Sequence, residues 1–207
     1  MSERGKYDRT LSAAARTRAL RRTILGAATV VFARRGYAAA NVADVVREAA
    51  VSRRTFYEHF DDLADVLAAV HDASGKLAMR QVDEEIAGAP EPERLERGIR
   101  ALLALVSQNA GLARVLFVEA RVAGPRFAAR LERLRAHFAG VLKATLAAAH
   151  VRGELARAPD DIAVLAIVAG IEAVGARMAD ADGPLLDDAT REMVRLARGA
   201  CADAGVH

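Results

Sequence analysis

Tryptophan is absent from this chain and cysteine occurs once. A lone Cys201 cannot form an intrachain disulfide, so a reducing cytoplasm is the expected home. The 5 prolines and 15 glycines stand as isolated punctuation rather than at regular strand-and-turn spacing, and no convincing strand is legible. The longest uncharged apolar run, Ile162 to Ile171, is about half of the roughly 20 residues a membrane span needs. The opening stretch from Met1 to Arg18 lacks the apolar core of a signal peptide. Neither export nor membrane insertion is therefore expected.

What remains is 53% hydrophobic and 28% charged, a globular balance, and it is dominated by alanine, leucine and arginine. An all-α fold is expected. The net charge of +3 hides an asymmetry: residues 1 to 60 hold 12 Lys and Arg against 5 Asp and Glu, and the remainder holds 18 against 22. A basic front end on an acidic body points to a polyanion as partner for the front alone, because cations placed at phosphates gain from counterion release.

That front end is also where helix signals crowd together. Ile24, Ala28, Val31 and Phe32 share one helical face, which Arg34, Arg35 and Gly36 terminate. Asn41 can cap a second helix running to about Glu48. Ala49, Ala50 and Val51 form a turn, Ser52 can cap a third helix, and Asp61 or Asp62 a fourth that carries Val66, Val70 and Leu77. Two short helices across a tight turn, with Arg, Thr, Tyr and His on the second, suit the major groove of duplex DNA.

The stretch from Asn41 to Phe60, NVADVVREAAVSRRTFYEHF, resembles the DNA-binding signature of the TetR family of transcriptional regulators. The resemblance covers roughly the first third of the chain. It implies Val42, Val45 and Val46 as the inner face of the first motif helix and Phe56 and Phe60 as anchors of the recognition helix, roles with which the spacing agrees. DNA contacts are then expected from Asn41, Ser52, Arg53, Arg54, Thr55, Tyr57 and His59. Arginine can bind guanine with two hydrogen bonds, threonine can meet a thymine methyl, and tyrosine and histidine can reach phosphates. The chain departs from the family twice: Ala50 stands where the turn usually has glycine, and Leu63 where the fourth helix usually starts with lysine. Arg4, Lys6, Arg9, Arg16 and Arg18 could replace the lost phosphate contact.

The expected organisation is a basic arm over residues 1–15, a three-helix DNA-binding domain over 16–63, and a larger helical bundle over 64–207 entered through the long fourth helix. Pro90 and Pro92 mark the seam, and further helices are expected near 93–108, 110–123, 125–150, 160–179 and 185–203. The resemblance implies a dimerising, effector-binding role for this second domain. Two-fold symmetry would place recognition helices about 34–36 Å apart, or a multiple of it, on an inverted repeat. Leu165, Val168, Ile171, Val174, Met193, Leu196 and Ala200 are the expected dimer interface, against the plainer alternative that both helices are internal core. An effector pocket is expected near Met79, Leu103, Phe117, Arg121, Phe127, His137 and Phe138, suited to an apolar or aromatic molecule. No cofactor and no resident metal are expected.

Two other readings stay open. The chain could be a DNA-binding dimer without effector. Asp61-Asp62-Leu63-Ala64-Asp65 also fits the D-D-x-x-D pattern with which all-helical terpenoid synthases hold magnesium, although no second cluster accompanies it. The preferred reading is a cytoplasmic homodimeric repressor, since steric exclusion at a promoter needs no extra surface.

Overall fold

The computed structural model describes residues 13–120, 123–124, 127–178 and 185–202. Among them are nine α-helices and no strand: α1 (Ala13–Arg35), α2 (Val42–Ala49), α3 (Arg53–Tyr57), α4 (Leu63–Gly88), α5 (Arg94–Gln108), α6 (Ala110–Arg114), α7 (Ala128–Val151), α8 (Asp161–Arg177) and α9 (Leu186–Gly199). A short 3₁₀ turn (Glu91–Glu93) follows the Pro90 seam, and a π-helical turn (Val115–Glu119) continues α6.

Helix starts follow local chemistry. Asn41 accepts from Asp44 N at 3.1 Å while Asp44 accepts from Asn41 N at 3.3 Å, a reciprocal capping box. Ser52, Asp62 and Asp160 cap α3, α4 and α8 through the backbone N–H groups of Thr55, Asp65 and Ala163.

The helices enclose two cores. The front core holds Ile24, Ala28, Val31 and Phe32 of α1, Val45, Phe56, Phe60, and Val66, Leu67 and Val70 from the first half of α4. The bundle core holds Ala78 and Val82 from the second half of α4 with the apolar faces of α5, α7, α8 and α9. At 26 residues, about 39 Å, α4 serves both. The front core also takes in Val115, Ala120 and Phe127, so its packing crosses the expected boundary at residue 63. Among the described residues no single helix is long and apolar enough to cross a membrane.

Candidate functional site

The α2–α3 unit is held by apolar anchors beneath and ion pairs around it. Val45 and Phe56 are fully buried and Phe60 is 2% exposed, whereas Val42 and Val46 are half-buried. Buried Asp44 pairs with Arg35 at 2.8 Å, tying the start of α2 to the end of α1. Ala50 ends α2 with φ 52° and ψ 39°, the left-handed conformation for which the turn usually carries glycine.

With Phe56 facing inward, α3 turns Arg53, Arg54 and Tyr57 outward. Tyr57 is 55% exposed and packs edge-on against Phe56 at 5.3 Å between ring centroids. Arg54 reaches Glu58 at 3.1 Å in an exposed ion pair. Thr55 and His59 are half-buried, and the Ser52 and Thr55 hydroxyls lie 2.9 Å apart, so these two residues shape the helix start as well as face outward. Arg16 and Arg18 are exposed on the first turns of α1, at fixed helical positions rather than in an extended arm. Arg4, Lys6, Arg9 and Arg121 lie outside the described residues.

The Asp61, Asp62 and Asp65 carboxylates serve the start of α4. Asp62 accepts from Asp65 N at 2.7 Å, and Asp65 accepts from Asp61 N at 3.3 Å. Among the described residues no group of three His, Cys, Asp or Glu side chains is placed to hold a metal ion.

The bundle contains an apolar cavity of about 50 Å³ that opens to the surface. It is lined by Val82 and Ile86 of α4, Leu95, Gly98, Ile99 and Leu102 of α5, Phe117 of the π-helical turn, Leu134, Phe138, Val141 and Leu142 of α7, and Val168 and Ile171 of α8. Arg94, Thr145 and Glu172 are its polar groups. Glu172 is held by Arg135 through two hydrogen bonds of 2.8 Å, which keep the guanidinium firmly protonated. Arg135 is thereby half-buried between α7 and α8.

Of the expected pocket residues, Phe117 and Phe138 line the cavity. Leu103 is buried in the bundle core without lining it, and Met79 packs half-buried against that core. His137 lies 3.2 Å from Asp83 toward solvent. Phe127 belongs to the front core, because it precedes the first turn of α7, where the chain returns to α4. Apart from Arg94, the cavity wall contributed by α5 holds no polar or aromatic residue to mark it in the sequence.

The expected dimer face divides similarly. Leu165 and Leu196 are 57% and 47% exposed, and Val174 and Ala200 are half-buried. Val168, Ile171 and Met193 are buried within the protomer, and Val168 and Ile171 face the cavity. α8 is apolar on all sides, so periodicity could not separate its outer stripe from its inner one.

Residues 24–70 match the family model for bacterial regulatory proteins of the tetR family, and residues 88–176 the tetracyclin repressor-like C-terminal domain. No curated protein matches the chain. Solved structures share the fold. FadR from Bacillus subtilis, in complex with stearoyl-CoA, is 22% identical with a TM-score of 0.75, the match covering 90% of this chain and 99% of that one. The fatty acid degradation regulator FadR from Bacillus halodurans is 20% identical with a TM-score of 0.77, covering 87% and 95%. PfmR from Thermus thermophilus is 20% identical with a TM-score of 0.72, covering 87% and 99%.

Proposed function

The chain belongs to the TetR family of bacterial regulatory proteins, and from that premise we propose that it represses transcription as a homodimer on an inverted-repeat operator and leaves the DNA when an apolar or aromatic effector binds. The observation that carries the DNA part is the division of α3, with Phe56 locked in the front core and Arg53, Arg54 and Tyr57 turned outward from a helix short enough to enter a major groove. Asn41 and Ser52 present helix starts to the backbone, Thr55 and His59 complete the contact face, and Arg16 and Arg18 meet flanking phosphates.

One recognition helix reads too few base pairs for a unique address, so the site is doubled by symmetry. The exposed stripe of α8, Ile162, Leu165, Ala169 and Ala173, together with Leu196 of α9, is the apolar surface proposed to pair with its copy. The effector part rests on the bundle cavity, whose wall of aliphatic side chains and two phenylalanines suits an acyl chain or an aromatic molecule. FadR from Bacillus subtilis, of the same fold, holds stearoyl-CoA, which supports an acyl compound as the first class to screen.

The test is selection of binding sites from random duplex DNA by the purified protein at moderate salt, where non-specific phosphate binding is suppressed. An enriched inverted repeat is the expected result and supplies the probe for effector screening. Absence of enrichment overturns the proposal.

A further inference from the structure

The cavity wall and the loop that opens the helix-turn-helix meet in one five-residue segment. Val115–Glu119 is wound as a π-helical turn, a rare geometry found disproportionately at functional sites. Its neighbouring side chains enter different cores. Val115, and Ala120 just beyond, are fully buried in the front core, while Leu116 and Phe117 are buried in the bundle core. Phe117 also lines the cavity.

Glu119 ends the segment at 2% exposure, accepting the Tyr37 backbone N–H at 2.8 Å and Arg114 Nε at 2.6 Å. Tyr37 follows Gly36, whose φ of 76° turns the chain out of α1 toward the Asn41 cap. A Cβ on Gly36 would lie 3.3 Å from Arg114 Nη2 and 3.5 Å from Glu119 Oε1, so the turn rests directly on the ion pair. On the other side, the Phe117 ring is seated against the bare backbone of α8, where a Cβ on Gly175 would lie 2.7 Å from Cε2. An occupant of the cavity that displaces this ring therefore pushes on the segment's own backbone.

We propose that the π-helical segment Val115–Glu119 couples the cavity to the helix-turn-helix, with the Glu119 carboxylate on the Tyr37 amide as its output contact. Occupancy rewinds the segment toward regular α-helix, which rotates Glu119 away from Tyr37 and loosens the loop before Asn41. Glu119 is a positioning residue: it touches neither DNA nor effector. The inference rests on the effector reading of the cavity.

The test fills the cavity by substitution, so no effector need be known. In the full-length protein, Leu102→Phe and Val141→Phe narrow the cavity from different walls, and thermal transitions verify folding of each. Hydrogen exchange of the Tyr37 amide is read by nitrogen-15 NMR, and binding to the selected inverted repeat in parallel. The expected result is roughly tenfold faster exchange at Tyr37 and DNA binding weakened by a similar factor in both variants. In Glu119→Ala, which removes the acceptor of the Tyr37 N–H, the amide already exchanges fast, and filling adds no further acceleration. Unchanged Tyr37 exchange with weakened DNA binding overturns the coupling through Glu119 and leaves the effector reading standing. Unchanged exchange with unchanged DNA binding overturns both.

Discussion

Arg21 lies over the Phe60 ring with its Cζ 4.2 Å from the centroid, and its Nη1 donates to the His59 carbonyl at 3.0 Å. One α1 side chain thus holds both the apolar anchor and the C-terminal backbone of the recognition unit. Cation–π contacts of this kind contribute about 0.5–2 kcal/mol. Arg21→Ala is expected to lower the unfolding free energy by about 1–2 kcal/mol and to weaken operator binding. Arg21→Lys, which keeps the charge but not the flat guanidinium, should recover only part of either. Full recovery by lysine in urea titrations would show that charge alone matters here.

Arg53, Arg54 and Tyr57 are exposed, so their removal should leave stability within about 0.5 kcal/mol of the parent. Each alanine variant is expected to lose about 1–3 kcal/mol of operator affinity, measured by fluorescence anisotropy at constant salt. Arg54→Ala should additionally relax sequence preference at one position of the half-site if it reads a base. A uniform loss across all sequences would assign it to phosphate instead.

Ala50 is the sole residue other than glycine with positive φ among the described residues. Glycine adopts that conformation without the Cβ clash, at the expense of a more flexible unfolded chain. Ala50→Gly is therefore expected to stabilise the protein by up to about 1 kcal/mol, seen as a higher urea midpoint with an unchanged slope. A lower midpoint would mean that the turn carries no strain.

Gly175 gives the Phe117 ring its seat, and an added methyl would enter the space of the ring at 2.7 Å from Cε2. Overpacking of this size costs about 1–3 kcal/mol. Gly175→Ala should lower the thermal midpoint accordingly, and Gly175→Ala combined with Phe117→Leu should regain part of the loss. Additive losses in the pair would show that the two positions do not press on one another.

His71, on α4, is 2% exposed, and neither ring nitrogen has a hydrogen-bond partner among the described residues. Burial pushes its pKa below the usual 6.5; Asp72, with Oδ1 3.9 Å from Nδ1, opposes the shift, and Arg130 and Arg133 reinforce it. As pH falls the unfolded chain takes up this proton before the folded one does. Stability is thus fully present above about pH 6.5 and declines as pH drops toward the lower folded value. The urea midpoint should fall between about pH 7.5 and 5.5, and His71→Leu should shrink that fall. An equal fall in both proteins would put the titration elsewhere.

Local chemistry was legible in the linear chain. Asn41, Ser52 and Asp62 cap the helices they were expected to cap, since a cap needs only its own residue and an amide three positions on. The recognition helix was legible for the same reason: Phe56 and Phe60 one turn apart define the inner side, which leaves Arg53, Arg54 and Tyr57 outside. The D-D-x-x-D pattern shows the limit of a motif, because a helix start takes up the same spacing of carboxylates.

Tertiary packing decided everything that depends on which of several apolar faces meets which neighbour. α8 is apolar all round, so only its contacts could send Val168 and Ile171 to the cavity and leave Leu165 outside. Phe127 joined the front core rather than the pocket because the chain returns to α4 just before α7. Nothing local marks Glu119 in the sequence, because its partner Tyr37 lies 82 residues away. Capping, periodicity and charge act within about one helical turn and are therefore written in order along the chain. Cavities and inter-domain contacts join residues that only the fold brings together.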